Sequence, residues 1–172
     1  MQAFGGAVIS DTDFTKNGKV SKFDYRAKGF GTFHGILPKN WYENGCSWSK
    51  TFGKTEIVKD PSGDYLKITV SGADTQYLSA LPKLKKDCQY RLTAVIRNRT
   101  DGLVQVRLRS GKPYKVWESM SVSHSSEWRQ WTKTFRFDQE PDPTIALMLQ
   151  IRGNGEVDVR SIRLEEADGQ GD

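Results

Sequence analysis

The stretch YRLTAVIRNRTDGLVQVRLR, residues 90–109, predicts the architecture of this protein. Apolar and polar side chains alternate over residues 90–97 and again over residues 104–109, which is the two-residue period of half-buried strands. Between them, Asp101 and Gly102 suit the backbone angles of a tight turn. We therefore predict an antiparallel hairpin with one apolar face toward a core and one face of arginine and glutamine toward solvent.

Further short strands are predicted along the rest of the chain, because turn residues separate them at intervals of about 8–12 residues. They cover residues 55–59, 65–70, 77–81, 115–122, 130–137, 145–152 and 156–164. The last two are predicted to form a closing hairpin around residues 153–155, and residues 1–35 have irregular or edge-strand character. About ten short strands without helical periodicity predict an all-β fold, a two-sheet β-sandwich of the jelly-roll type.

Length and composition are those of one domain. The chain of 172 residues is long enough for a single core, which we assign to residues 1–165, with residues 166–172 as a polar tail or linker. A net charge of +5 leaves nucleic acid, anionic polysaccharide and simple solubility open as explanations. No apolar run is long enough for a membrane span, so we expect a soluble monomer without a membrane partner.

Cysteine and histidine are scarce. Cys46 and Cys88 are the only cysteines, and their number is compatible with one disulfide or with two buried thiols. His34 and His124 are the only histidines, and we predict surface positions without a catalytic role for both. Two sulfurs and two imidazoles are too few to predict a structural zinc site.

The tryptophans divide into two groups. Trp131 shares its strand face with Phe135 and Phe137, so we predict core packing for Trp131 and for the nearby Trp128. Trp41 is predicted to plug one end of the sandwich, with ligand binding as the alternative. For Trp48, Tyr114 and Trp117, which lie in loops or at a strand edge, binding and packing are equally open.

The order of segments TQYLSALPKLKKDCQYRLTAVIRNR, SHSSEWRQWTKTFRF and IALMLQIRGNGEVDVRSIRLEE carries a family resemblance. Its markers are an aromatic residue entering a strand, a polar step before a tryptophan and a Gly-x-Gly-x-x-Asp-x-x-x-Ile closing motif. They are Tyr90, then Ser126, Glu127 and Trp128, then Gly153, Gly155, Asp158 and Ile162. This pattern resembles the carbohydrate-binding modules of the family 4, 9 and 22 group, which share a galactose-binding-like jelly roll.

The resemblance implies a secreted, non-catalytic module that binds a plant or algal cell-wall polysaccharide in a groove on one sheet face. Such a module targets an appended catalytic domain, commonly a glycoside hydrolase, to its substrate. Carried onto this sequence, the ligand-binding side chains would lie on the outward sheet face or at its rim. They are Trp48, Arg97, Gln105, Arg107, Arg109, Tyr114, Trp117, Gln150 and Arg152, with Met148 also on the floor. The plentiful arginine favours a uronate-bearing glycan, because a guanidinium group binds a carboxylate through two parallel hydrogen bonds.

The resemblance also implies one structural calcium ion between the N-terminal loop and the closing motif. Its ligands would be Asp13 and Asp158, since oxygen ligands from loops suit this ion. Lys16 close to Asp13 is unfavourable for a cation, and a hydrogen-bonded or solvated Asp is the alternative.

Two other classes of function compete. A small jelly-roll polysaccharide lyase acting on an acidic glycan would use Arg or Gln to neutralise a carboxylate and Tyr and His to move protons. The side chains of those types are Arg107, Gln150, Tyr114 and His124. No acid/base pair shares a strand, and Glu118, Glu127 and Glu156 form no glycosidase pair, so we expect no enzyme activity. A nucleic-acid or protein binder is the third class, but no nucleic-acid-binding motif supports it.

Overall fold

The structure, a computed structural model, describes residues 8–13, 19–24, 29–38, 40–45 and 49–167, with the backbone alone for 8–13, 19–24 and 73–77. These residues form eleven strands: β1 (Val8–Asp13), β2 (Lys19–Asp24), β3 (Thr32–Leu37), β4 (Tyr42–Glu43), β5 (Phe52–Val58), β6 (Tyr65–Ala80), β7 (Gln89–Thr100), β8 (Val104–Arg109), β9 (Val116–Ser121), β10 (Arg129–Arg136) and β11 (Ala146–Glu166). Among the described residues there is no helix long and apolar enough to cross a membrane.

The strands form two packed sheets. β6 and β11 are long enough to contribute to both. The front sheet contains β9, β8, the first part of β11, the last part of β6 and β4. The back sheet has the order β10, β7, second part of β11, first part of β6, β5, β3, β2, with β1 beside the end of β11. Among the strands of the described residues, only β3 and β5 pair in parallel. This arrangement confirms the predicted all-β, two-sheet jelly-roll sandwich.

Glycines let β11 turn from the front sheet into the back sheet. Gly153 and Gly155 have φ angles of 95° and 126°, and the register with β6 shifts at both. Bulges of this kind bend a strand and let it switch sheets. The predicted hairpin over residues 145–164 is therefore wrong, since both halves belong to one continuous strand. The separate strands predicted at 65–70 and 77–81 are likewise a single strand, β6.

The predicted hairpin of residues 90–109 is also wrong in its pairing, although both strands exist. β7 pairs with β10 and β11 in the back sheet, whereas β8 pairs with β9 and β11 in the front sheet. The turn at Asp101 and Gly102 crosses between the sheets, and Asp101 N donates to the carbonyl of Asn154 over 3.0 Å. Each strand places its apolar face on the shared core as predicted, so their polar faces lie on opposite outer surfaces.

A buried or core position was predicted for Trp41, Trp128 and Trp131, and the structure confirms it for two of them. Trp41 is buried within the core and Trp131 packs against it, as predicted. The core position predicted for Trp128 is wrong. Its ring lies on the outer surface of the back sheet, with the guanidinium carbons of Arg97 and Arg160 at 4.8 and 4.2 Å from the ring centroid.

Cys88 is a half-buried free thiol, whereas Cys46 lies outside the described residues.

β11 continues to Glu166, and Ala167 N donates to the carbonyl of Gln89 over 2.8 Å. Ordered pairing therefore extends slightly past residue 165, and residues 168–172 lie outside the described part of the chain.

Candidate functional site

The outer face of the front sheet carries the largest group of the predicted ligand-binding residues. The strand register aligns its side chains in rows across the sheet. One row is Ser119, Arg107, Met148, Ser79 and Tyr42, and a second contains Ser121, Gln105 and Gln150. Arg109 and Ala146 form a third pair. The structure thus brings Gln105, Arg107, Arg109 and Gln150 together on one face, which we call the front face.

A hydrogen bond between β8 and β11 organises the centre of the front face. Arg107 Nη1 donates to Gln150 Oε1 over 2.7 Å. Gln150 and Met148 are only 1% and 4% exposed, whereas Arg107 is half-buried. Gln150 therefore orients the guanidinium group instead of presenting its amide to solvent, which differs from the exposed floor predicted for it.

Tyr114 extends the front face at one end. The turn that carries it is closed by a 2.9 Å hydrogen bond from Ser110 N to the carbonyl of Lys115. The guanidinium carbon of Arg109 lies 4.8 Å from the centroid of the Tyr114 ring, and Tyr114 is 65% exposed. The ring is thus held next to Arg109 and remains open to solvent.

Tyr42 is a front-face residue that the sequence did not predict. It lies on the edge strand β4 opposite Ser79, and it is 37% exposed. Its loop shows no period that could have placed it on this face. Ser119 and Ser121, in contrast, could have been found by continuing the alternation of the predicted strand 115–122. Gln105 Nε2 donates to Ser121 Oγ over 3.3 Å.

Other predicted site residues lie elsewhere. Trp117 packs against the core, with its ring centroid 5.7 Å from that of Phe137 and Lys115 Nζ 4.0 Å from its own centroid. These contacts favour the packing alternative for this ring, and its role at the groove rim stays a prediction. Arg152 is exposed at the corner where β11 leaves the front sheet. Trp48 lies outside the described residues.

Arg97 is on the opposite side of the molecule, where it neutralises a buried carboxylate. Both Arg97 Nη2, at 2.8 Å, and Arg99 Nη2, at 2.7 Å, contact Asp158 Oδ2, and the Asp158 side chain is fully buried. Arg99 also pairs with Glu156 at 2.7 Å. The placement of Arg97 on the groove floor is therefore wrong, because it stabilises the back sheet.

The surroundings of Asp158 do not fit the calcium ion implied by the sequence resemblance. Two guanidinium groups already contact Oδ2 of this carboxylate, and a cation next to them would be repelled. The backbone of Asp13 pairs with Ser161, and its side chain is not described. Among the described residues, no group of three or more His, Cys, Asp and Glu side chains could hold a metal ion.

The four side chains of the lyase hypothesis are not gathered in one place. Tyr114 precedes β9, and His124 follows it on the loop toward β10. His124 Nδ1 lies 3.1 Å from the carbonyl oxygen of Thr100, which requires that nitrogen to be the donor. A strand of six residues separates the two, a distance of about 20 Å. Tyr114 and His124 therefore do not face one reacting carbon together.

Known structures share this architecture. A carbohydrate-binding module of family 4 matches with a TM-score of 0.61 and 13% identity over 74% of this chain and 86% of that one. The CBM22-1 xylan-binding domain of Paenibacillus barcinonensis Xyn10C matches with a TM-score of 0.59 and 8% identity over 96% and 97%. The N-terminal cellulose-binding domain of Cellulomonas fimi β-1,4-glucanase C matches with a TM-score of 0.53 and 20% identity over 76% and 90%.

No protein-family model and no curated protein sequence matches the chain. At identities of 8–20%, the structural likeness establishes the fold. The chain has the jelly-roll fold of carbohydrate-binding modules, as the sequence resemblance implied.

Proposed function

We propose that this chain is a non-catalytic carbohydrate-binding module whose front face binds a polysaccharide. The observation that carries the proposal is the Arg107–Gln150 hydrogen bond of 2.7 Å at the centre of a face that also bears two partly or largely exposed tyrosine rings. A fixed guanidinium group flanked by open rings is a binding surface that needs no chemical step.

The chemistry of this face suits a sugar chain. A pyranose has an apolar C–H side, which the rings of Tyr42 or Tyr114 can cover, and an edge of hydroxyl groups that amides and guanidinium groups can bond. Gln105, Ser119 and Ser121 add neutral donors and acceptors beside Arg107. Polar groups distributed over several strands favour an extended ligand over a single small molecule.

The preferred glycan in this proposal is a plant or algal cell-wall polymer that carries uronate groups. Arg107 and Arg109 are two residues apart on β8 and therefore project from the same face about 7 Å apart. A carboxylate accepts two parallel charge-assisted hydrogen bonds from one guanidinium group, and these are stronger than hydrogen bonds to the neutral hydroxyl groups of an uncharged sugar. An acidic polymer should therefore bind more tightly than its neutral counterpart.

The proposal includes an appended glycan-degrading enzyme and an extracellular location. It is supported by the similar folds of a xylan-binding domain of Xyn10C and a cellulose-binding domain of β-1,4-glucanase C. Xylan and cellulose are the ligands named for those two domains, and we transfer neither to this chain. In this proposal the present chain binds a polysaccharide without cleaving it and thereby brings the appended enzyme to its substrate.

Affinity gel electrophoresis tests the proposal. The wild-type chain should be retarded by gels containing polygalacturonate or alginate, more weakly by xylan or β-glucan, and without dependence on added CaCl₂. Arg107→Ala should abolish most of the retardation. Arg91→Ala is the matched control, because Arg91 is an exposed back-sheet arginine 3.8 Å from Glu165.

Retardation that is equal for Arg107→Ala and wild type would contradict a site on the front face. Absence of retardation by every polymer would contradict polysaccharide binding itself. Release of unsaturated uronates from alginate or pectin, followed by ultraviolet absorbance, would instead establish the lyase hypothesis.

A further inference from the structure

A separate cavity of about 220 Å³ lies between two loops at one end of the sandwich. One loop joins β6 to β7 and the other joins β10 to β11. The lining residues are Pro82, Lys83, Leu84, Glu140, Pro141, Asp142 and Pro143. None of them belongs to the rows of the front face, so this cavity would act independently of the polysaccharide site.

Hydrogen bonds hold both loops in place around the cavity. Asp87 N donates to the carbonyl of Phe137 over 2.8 Å and thereby ties one loop to the other. The fully buried Tyr90 accepts at its hydroxyl from Lys85 N over 2.7 Å. Asp142 Oδ1 accepts from Thr144 N over 2.7 Å. The cavity is therefore formed before any ligand arrives, which reduces the entropic cost of binding.

Apolar and charged groups occupy different parts of the cavity wall. Leu84 packs against the core and Pro141 is buried, so they form an apolar floor. Lys83 and Glu140 are exposed, and they come from the two different loops. The described part of the chain provides neither with a hydrogen-bond or ion-pair partner, whereas Lys85 on the same loop pairs with Glu166 at 2.8 Å. The cavity thus offers the cationic donor Lys83 and the anionic acceptor Glu140, both without a partner in the described part of the chain, above an apolar floor.

The hydrogen bonds from Thr144 have a second effect, on the charge of the wall. They lower the pKa of the Asp142 carboxyl group below its usual value, because they stabilise the ionised form that accepts them. Thr144 thus occupies Oδ1 of Asp142, whereas no hydrogen bond within the described residues engages the carboxylate of Glu140.

We propose that this cavity binds a single sugar ring, as a free monosaccharide or as the terminus of a chain. Adjacent sugar hydroxyls both accept and donate hydrogen bonds, which matches Lys83 on one loop and Glu140 on the other. The C–H side of the ring would contact Leu84 and Pro141. The volume is below the range of about 300–1,000 Å³ typical of pockets for larger ligands, and so it suits one ring and not a chain.

Nuclear magnetic resonance titration of the full chain tests this second site. Xylose, glucose and galacturonate, and the trisaccharide of each, should shift the amide signals of Lys83, Leu84, Glu140 and Thr144 saturably. Glu140→Gln and Lys83→Gln should each weaken this binding about tenfold, because each loses a hydrogen bond to a charged group. Lys85→Gln and Asp138→Asn change charges on the same loops outside the lining and should leave it unchanged.

The signals of Gln105, Ser119 and Ser121 report the front face in the same titration. Arg107→Ala should remove their response to trisaccharides and leave the cavity signals unaffected, so that failure of one site is distinguishable from failure of the other. Weaker binding of the trisaccharide than of the monosaccharide would establish a free-sugar site, and equal or tighter trisaccharide binding a site that admits chain termini. Cavity signals that do not shift, or that show the wild-type affinity in both Glu140→Gln and Lys83→Gln, would overturn the proposal.

Discussion

Arg107 donates a hydrogen bond from Nη1 to Oε1 of Gln150 over 2.7 Å, diagonally across the pairing of β8 with β11. Because Gln150 is only 1% exposed, this contact fixes the position of a half-buried guanidinium group on a face that is otherwise formed by neutral side chains and Arg109. A ligand that meets Arg107 does not have to order it first. This preorganisation should be measurable as affinity.

Gln150→Leu should weaken binding to the best acidic polymer about five- to tenfold while the chain remains folded, because Arg107 loses the acceptor that orients it. Isothermal titration calorimetry with a polymer fragment measures the change. Gln130→Leu, at an exposed position of β10 on the back sheet, is the control and should bind as wild type does. If Gln150→Leu keeps full affinity, Gln150 does not position Arg107.

Tyr114 and Trp117 should respond oppositely to replacement by alanine. Tyr114→Ala removes an exposed ring, so the affinity should fall several-fold while the free energy of unfolding changes by less than about 0.5 kcal/mol. Trp117→Ala removes a ring packed on Phe137, so stability should fall by about 2–4 kcal/mol with affinity preserved. Urea denaturation and calorimetry on both variants test this, and the reverse pattern would place Trp117 in the binding site.

Arg97→Met should destabilise the protein without changing polysaccharide binding. Removing one partner of a buried ion pair costs about 3–5 kcal/mol, and the remaining Arg99 at 2.7 Å from Asp158 should reduce this to about 2–3 kcal/mol. Urea denaturation measures the loss. Arg97→Met combined with Asp158→Leu should regain part of the stability, because the uncompensated charge is also removed. A loss of affinity in the folded single variant would contradict the structural role of Arg97.

Gly155→Ala should be destabilising because of the bend in β11. The residue has a φ angle of 126°, and an added Cβ would lie 2.5 Å from the carbonyl oxygen of Arg99. Strain of this kind costs of the order of 1–3 kcal/mol. Gly63 also has a positive φ, 122°, but the atom nearest to a Cβ added there would be 3.8 Å away. Gly63→Ala therefore measures the backbone strain without the clash. Thermal denaturation of both variants should show the larger loss for Gly155→Ala.

The Asp101–Asn154 contact should make stability depend on pH. The backbone N–H of Asn154 and then its side-chain amide hold the pKa of the Asp101 carboxyl group below its usual value of 3.8. Because the pKa of Asp101 is lower in the folded state, the stabilisation that its carboxylate provides is fully present above the unfolded-state pKa. It is lost as the pH falls through the folded-state pKa. Asp101→Asn should therefore be less stable than wild type at about pH 7, and the difference should shrink at about pH 2–3. Denaturation at both values tests this, and a constant difference would mean that ionisation of Asp101 plays no part.

The alternation in residues 90–97 and 104–109 determined the fold class and the side chains that face the core, because strand geometry directs successive side chains to opposite faces. The same alternation correctly predicted that Gln105, Arg107 and Arg109 share a face. The alternation of residues 130–137 likewise predicted that Phe135 and Phe137 are buried. These properties are local, and they could be derived from the order of residues alone.

Tertiary structure decided which strands are neighbours. A period of two describes the orientation of a strand toward the core but not its partner, so β7 and β8 fit one hairpin or two opposed sheets equally well. The bends of β6 and β11 select the second arrangement. They place Arg97 beside Asp158, 61 residues away in the chain, and Arg107 beside Gln150, 43 residues away. Two arginines that are equivalent in the sequence pattern therefore differ in role, because one neutralises a buried carboxylate and the other is presented on the front face by a neutral amide.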